Sequence, residues 1–204
     1  QFFKPGMEES RGGKARLEIT DYDVMKMQYP PDWAQVDAVI ITGSKASAYD
    51  QDEWILRLCT EIKTLRDHRK RMLGICFGHQ IICHALGGKV EKSPKGLSFG
   101  LRSFIVGARA QQALPWTGTL MRLRASHYDV VTRMPPNSLN LGLSEECAVE
   151  GIMLDDHILT MQCHPEFDTE DGKESMRRLL TVFQPDLPNH AALAAEVEEE
   201  NEDG

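Results

Sequence analysis

Met72-Leu73-Gly74-Ile75-Cys76-Phe77-Gly78-His79-Gln80 is the stretch from which the fold of this chain is read. Met72 to Ile75 is a short apolar run of strand character. Ile81, Ile82, Ala85 and Leu86 then recur at helical spacing up to Gly87-Gly88, a C-terminal helix stop. Strand passes into helix with no loop between, and a cysteine stands at the junction. Glycines two residues before and two residues after Cys76 make the nucleophile-elbow pattern, with Cys in the place of Ser. Such a turn is sharp and strained, and side chains at the flanking positions would strike the neighbouring strand and helix. A sulfur just ahead of a helix N-terminus is favoured as thiolate. The N–H of Phe77 would face the oxygen of a carbonyl under attack. The plainer alternative is a buried structural cysteine in a Gly-rich turn.

Working outward, Val36-Asp37-Ala38-Val39-Ile40-Ile41 is a nearly continuous apolar run ending at Thr42-Gly43-Ser44. It reads as a parallel strand covered on both faces. Trp54, Ile55, Leu58, Ile62 and Leu65 follow at helical spacing, with acidic residues at the start and Arg66 to Arg71 at the end, as the helix dipole favours. Arg16 to Thr20 alternates like a short strand. Strand, helix, strand, helix predicts an α/β three-layer sandwich around a mostly parallel sheet. From Ser98 onward the pieces are shorter and β-like: Leu101–Val106, Leu120–Ala125, Val130–Arg133, Cys147–Met153 and Ile158–Cys163. Some of these are expected to be antiparallel, at a sheet edge or in a small subsidiary sheet. Thr169 to Phe183 closes as a helix with Met176, Leu179, Leu180 and Phe183 on one face. Residues 1–187 are expected to form one domain, and 188–204 an acidic, solvated and disordered tail.

A chain of 204 residues is long enough to bury a core, and its net charge of −8 argues against a nucleic-acid partner. No apolar run is long enough for a membrane helix, and the opening residues lack the pattern of a secretory signal. The five cysteines, Cys59, Cys76, Cys83, Cys147 and Cys163, are odd in number and contain no CxxC pair. A reducing, cytoplasmic compartment is therefore expected, with no disulfide framework. Cys163 beside His164 has no second Cys/His pair at ligand spacing, so no metal is expected. His84 reads as a packing residue, and Cys59, Cys83 and Cys147 as core.

Gly74-Ile75-Cys76-Phe77-Gly78-His79-Gln80 resembles the nucleophile motif of the class I (triad) glutamine amidotransferases. Gln162-Cys163-His164-Pro165-Glu166-Phe167 resembles the second signature of that family, which carries a catalytic His and Glu. Ile41-Thr42-Gly43-Ser44 is similar to its oxyanion turn, keeping one Gly and lacking the Pro of the common Gly-Gly-Pro. Ala125-Ser126-His127-Tyr128-Asp129 is similar to a segment that helps hold the substrate glutamine. The likeness runs from about Leu17 to about Phe183, and the Thr-Gly-Ser turn on a free-standing domain looks most like the fungal and plant branch that includes γ-glutamyl peptidases. Family members usually begin with a strand and helix that this sequence does not display.

The resemblance implies a flavodoxin-like amidotransferase fold and a Cys76-His164-Glu166 triad. Cys76 would attack a γ-glutamyl carbonyl to give a thioester, His164 would carry the proton, and Glu166 would orient the imidazole. Gly43 and Phe77 are the expected oxyanion donors, and Gln80, Ser126 and His127 the expected substrate contacts. Three functions fit: a glutaminase-type hydrolase feeding ammonia to a separate synthetase subunit, a self-sufficient γ-glutamyl peptidase, and a non-enzymatic binding module. The substrate is expected to be glutamine or another γ-glutamyl compound, and no cofactor is expected.

Overall fold

The computed structural model describes residues 17–115, 117–183, 187 and 189–200. Its central sheet has the order β1-β2-β10-β9-β7. The strands are β1 (Ala38–Ile41), β2 (Arg71–Ile75), β10 (Ile158–Met161), β9 (Gly151–Leu154) and β7 (Leu139–Asn140). β2 pairs in parallel with both β1 and β10, while β10–β9 and β9–β7 are antiparallel. Register brings Ile41 opposite Gly74 and Met161 opposite Ile75, so three parallel strands end side by side. Cys76 follows directly on the end of β2, and Gly43 and His164 come two and three residues after the ends of β1 and β10. The carboxyl edge of parallel strands is where open α/β sheets build their sites.

Helices α1 (Glu53–Asp67) and α2 (Phe77–Ala85) cover one face of the sheet. α1 buries Ile55, Leu58, Ile62 and Leu65, the stripe expected from the sequence, each contributing about 1.5–3 kcal/mol. The other face is covered by a second, antiparallel sheet in the order β5-β4-β8. It consists of β4 (Ser98–Val106), β5 (Leu120–His127) and β8 (Gly142–Leu143), with α3 (Ala108–Ala113) beside it. Phe104, Val106, Leu123 and Ala125 meet Ile75, Leu159 and Met161 in this second core. A two-stranded ribbon pairs β3 (Lys89–Lys92) with β6 (Asp129–Arg133). Of the late strands, β4, β5 and β6 lie in antiparallel subsidiary sheets, as expected for some of them, while β9 and β10 join the central sheet.

Three expectations need correction. β1 is an edge strand among the described residues, with Ile40 63% exposed, so it is not covered on both faces. A continuous apolar run reports β-propensity, and which strand flanks it is a matter of topology. Leu17 to Thr20 form no strand, and Leu17 and Ile19 are exposed; Arg16 and the rest of the opening lie outside the described residues. The acidic end is ordered through residues 189–200. α5 (His190–Val197) buries Leu193 and Val197 against Phe99, Met176 and Leu180, and Glu196 within it and Glu198 and Glu200 after it pair with Arg102, Arg177 and Lys173. The charge count alone hid these two apolar residues and the cations waiting for the acids. The expected closing helix is α4 (Glu170–Arg178) continued by a π-helical turn, Leu179–Phe183.

Candidate active site

Cys76 stands between β2 and α2 with φ 53° and ψ −106°, a conformation that costs a non-glycine residue on the order of 1–3 kcal/mol. The surroundings hold it there. Its N–H donates to the Met161 carbonyl at 2.9 Å, and its own carbonyl accepts from the N–H of Gln80 at 3.0 Å. The flanking glycines are steric necessities. A Cβ on Gly74 would lie 2.6 Å from the Gly78 carbonyl oxygen, and one on Gly78 would lie 1.9 Å from that of Ile41. Phe77 opens α2, so its N–H belongs to the first-turn donors that have no carbonyl partner within the helix. Its ring packs on Trp54 at 5.6 Å.

His164 follows β10 and heads a short 3-10 turn, Pro165–Asp168. Its Nδ1 is 2.7 Å from Glu166 Oε1, and its ring lies stacked on Phe167 with centroids 4.2 Å apart. Burial disfavours a charged imidazole here, but hydrogen bonds with Cys76 and Glu166 outweigh it and push the His164 pKa up to about 9. For Glu166, burial raises the pKa, and the bond to His164 prevails and lowers it. The pair therefore favours imidazolium beside carboxylate. Gly43 completes the cluster: a Cβ there would sit 3.2 Å from His164 Cε1 and 3.7 Å from Cys76 Cβ. The Cys76 thiol is 3.8 Å from the Ser126 carbonyl oxygen.

The three catalytic candidates and both oxyanion candidates are therefore neighbours. The expected substrate contacts divide. Ser126 lines the thiol through its carbonyl. His127 is buried; burial, and then the charge on His164, lower its pKa to about 4, and its Nδ1 lies 3.2 Å from the Asp129 carbonyl. Gln80 turns inward, donating to the Asp129 carbonyl at 2.8 Å and to Gln162 Oε1 at 3.2 Å, so its side chain braces the frame. His79 is fully buried, with Nδ1 2.7 Å from the Thr160 hydroxyl, and desolvation pulls its pKa down to about 3. The Cys163 Sγ donates to buried Glu150 at 3.5 Å.

The sequence reading missed Asp129 as a hub. The hydroxyls of Ser47 and Tyr49 donate to its carboxylate at 2.6 and 3.3 Å, tying the loop after Gly43 to the segment after Ser126. An acid following Ser-His-Tyr was the available signal, but its partners lie about eighty residues upstream.

A model of the family described as glutamine amidotransferase class-I matches residues 10–182. The chain belongs to the class I glutamine amidotransferases. Within that family it is 33% identical over 168 residues to γ-glutamyl peptidase 3 of Arabidopsis thaliana, covering 79% of this chain and 68% of the relative. γ-Glutamyl peptidase 5 of the same plant is 32% identical, with 86% and 73% covered. A glutamine amidotransferase-like protein of Penicillium rubens is 29% identical, with 84% and 76% covered. The crystal structure of a Thermotoga maritima glutamine amidotransferase superimposes with a TM-score of 0.73 at 18% identity, over 87% of this chain and 77% of that one. This likeness shows the family fold, a mixed α/β architecture in which parallel strands are joined by antiparallel ones.

Proposed function

We propose that this chain hydrolyses the γ-amide bond of a γ-glutamyl compound through a thioester on Cys76. The observation that carries the reading is the line of Cys76, His164 and Glu166, with a 2.7 Å His164–Glu166 contact and a His164 that favours its proton. The Cys76 thiolate adds to the γ-carbonyl carbon, and the carbonyl π-electrons move onto oxygen. N–H groups of Gly43 and Phe77 receive that oxyanion. Collapse breaks the C–N bond as His164 delivers its proton to the departing amine. His164, now neutral, takes a proton from water, which attacks the thioester; glutamate leaves and the thiolate–imidazolium pair returns. Glu166 holds the ring and stabilises its charge throughout.

Similarity to relatives named γ-glutamyl peptidases supports γ-glutamyl peptides, more than free glutamine, as the substrate class of this chain. All the groups named in this cycle belong to the chain itself, so a γ-glutamyl peptidase needs no partner. A glutaminase feeding a separate synthetase subunit is the second reading, drawn from the amidotransferase-like relatives. Released glutamate is the measurement: pure protein with glutathione, a γ-glutamyl dipeptide and glutamine. Cleavage of the peptides at least as fast as glutamine, lost in Cys76→Ala, is expected. Turnover confined to glutamine and raised by an added synthetase would overturn the peptidase reading. Turnover of none, with Cys76 reduced, would leave a non-enzymatic module.

A further inference from the structure

The C-terminal helix lies beyond the residues matched by the family model, yet it is built into the support of the proposed base. Arg124 of β5 is 0% exposed. A buried guanidinium persists only where it is neutralised and hydrogen-bonded. Here the partners come from two directions. Its Nε lies 3.5 Å from Asp168 Oδ1, at the far end of the His164 turn, an ion pair without a hydrogen bond. Its two terminal nitrogens donate to the main-chain carbonyls of Glu196 and Glu199 at 3.3 and 2.5 Å. The Glu196 carbonyl is one of the orphan carbonyls in the last turn of α5, at the negative pole of that helix, and Glu199 lies just past its C-cap. Meanwhile the Arg124 carbonyl accepts from the N–H of His164 at 2.7 Å. Arg124 thus holds the turn at both ends, His164 by its backbone and Asp168 by its side chain.

A second line runs through packing. Leu193 and Val197 of α5 share a core with Phe99, Met176 and Leu180, and Phe167 packs against that cluster. Phe167 is the ring stacked on His164. Outside this core the segment is fastened by ion pairs, Glu196 to Arg102 at 2.8 Å and Glu198 to Arg177 at 2.7 Å among them. Gly100, with φ +95°, leaves room for Glu196: a Cβ there would lie 2.8 Å from the Glu196 Cβ.

The geometry points to Arg124 as the positioning residue of His164, and to residues 190–200 as the strap that keeps Arg124 and Phe167 in place. This inference rests on the reading of His164 as the proton carrier. A detached strap leaves the oxyanion turn and the thiol where they are and loosens the imidazole. The cost therefore falls on the proton-transfer steps and spares substrate affinity.

The test uses the full chain. Val197→Asp puts a charge into the core under the strap, and Arg124→Lys keeps a cation but loses the fork that reaches two carbonyls and Asp168 at once. Each is expected to lower kcat on a γ-glutamyl peptide by about 10- to 100-fold, with KM within about twofold and the alkaline limb of kcat moved to lower pH. Glu198→Arg, on the surface, is expected to give a smaller loss, with kcat restored when Arg177→Glu is added. Hydrogen exchange over residues 190–200 reports whether the strap has come away. The pH dependence of Cys76 alkylation reports the Cys76–His164 pair without any substrate. It should shift in Val197→Asp even if no γ-glutamyl compound is cleaved, a result that would sink the proposed reaction and keep the strap. Fast exchange at 190–200 with unchanged kcat and an unchanged alkylation profile would overturn the inference, as would a rise in kcat. If Val197→Asp or Arg124→Lys fails to fold, the Glu198→Arg and Arg177→Glu pair decides it: no loss in the single variant, or no recovery in the double, counts against the strap.

Discussion

The nucleophile elbow and the His164 turn supply the two halves of one reaction centre, and they are held in different ways. The elbow, residues 74–80, is fixed from within: two glycines, one forced φ and backbone hydrogen bonds to adjoining strands. The turn, residues 164–168, is fixed from outside, by Arg124 and by helix α5, whose core packs on Phe167, the ring stacked on His164. The nucleophile needs an exact backbone, which close packing enforces. The base needs an oriented ring, and side chains from several elements are required to orient one. Damage to the elbow should therefore be all-or-none, whereas damage to the turn should be graded.

The largest effect is expected at the elbow's own sulfur. Cys76→Ala should reduce glutamate release by at least about 10⁴-fold while the protein stays folded. The same variant tests the charge on His164. A histidine whose folded pKa stands near 9, above its ordinary value of 6.5, contributes stability that is full below pH 6.5 and lost as pH rises through 9. The parent Tm should accordingly fall between pH 7 and pH 10, and Cys76→Ala should flatten that fall, because it removes a bond that raises the pKa. An equal slope in both proteins would detach His164 from the thiol.

Gly78→Ala comes next. Its Cβ would meet the Ile41 carbonyl oxygen at 1.9 Å, backbone against backbone, so a loss of about 3 kcal/mol or more is expected in urea unfolding. Gly96→Ala is the control: φ is +83° with nothing within 4 Å, so only conformational strain of about 1 kcal/mol is expected. Similar losses at both positions would mean that the elbow is not close-packed.

Glu166→Gln should be milder than Cys76→Ala, about 10- to 100-fold in kcat, since the carboxylate orients the base without taking the proton. Losing an acceptor that favours imidazolium should bring the alkaline limb of kcat below pH 9. A limb that stays put would assign it to another group.

The thiols offer a finer discrimination. Burial first, then the charge of Glu150, pushes the Cys147 pKa up to about 12, and burial raises those of Cys83, Cys163 and Cys59. Iodoacetamide at neutral pH should therefore modify Cys76 first, as peptide mapping would report. Equal labelling of Cys59 would remove the case for an activated thiol. The smallest effect belongs to a feature of neither region: Arg69→Ala, which breaks an exposed pair with Asp156, should leave the urea-unfolding midpoint unchanged within measurement error.

The elbow, the order of strands and helices, the stripe of α1 and the His164–Glu166 pair were all legible in the sequence. Each rests on residues close in the chain or on a period that a helix or strand imposes directly. Glycines at 74 and 78 announce a tight turn because no other residue fits. What the sequence hid was decided at long range. Val36 to Ile41 carries the same apolar signature in the middle of a sheet as at its edge, and only topology put β1 at the edge among the described residues. Gln80 reads as a polar side chain free for substrate until the Asp129 carbonyl and Gln162 arrive to claim it. The acidic end reads as solvated because the cations that receive it stand at 102, 122, 173 and 177, far off in sequence. The sequence by itself determined the chemistry on offer, a strained cysteine and a histidine with its acid, since local sterics and residue type suffice for that. The tertiary structure alone decided how the histidine is held, because a buried guanidinium such as Arg124 can be neutralised only by groups that folding brings to it.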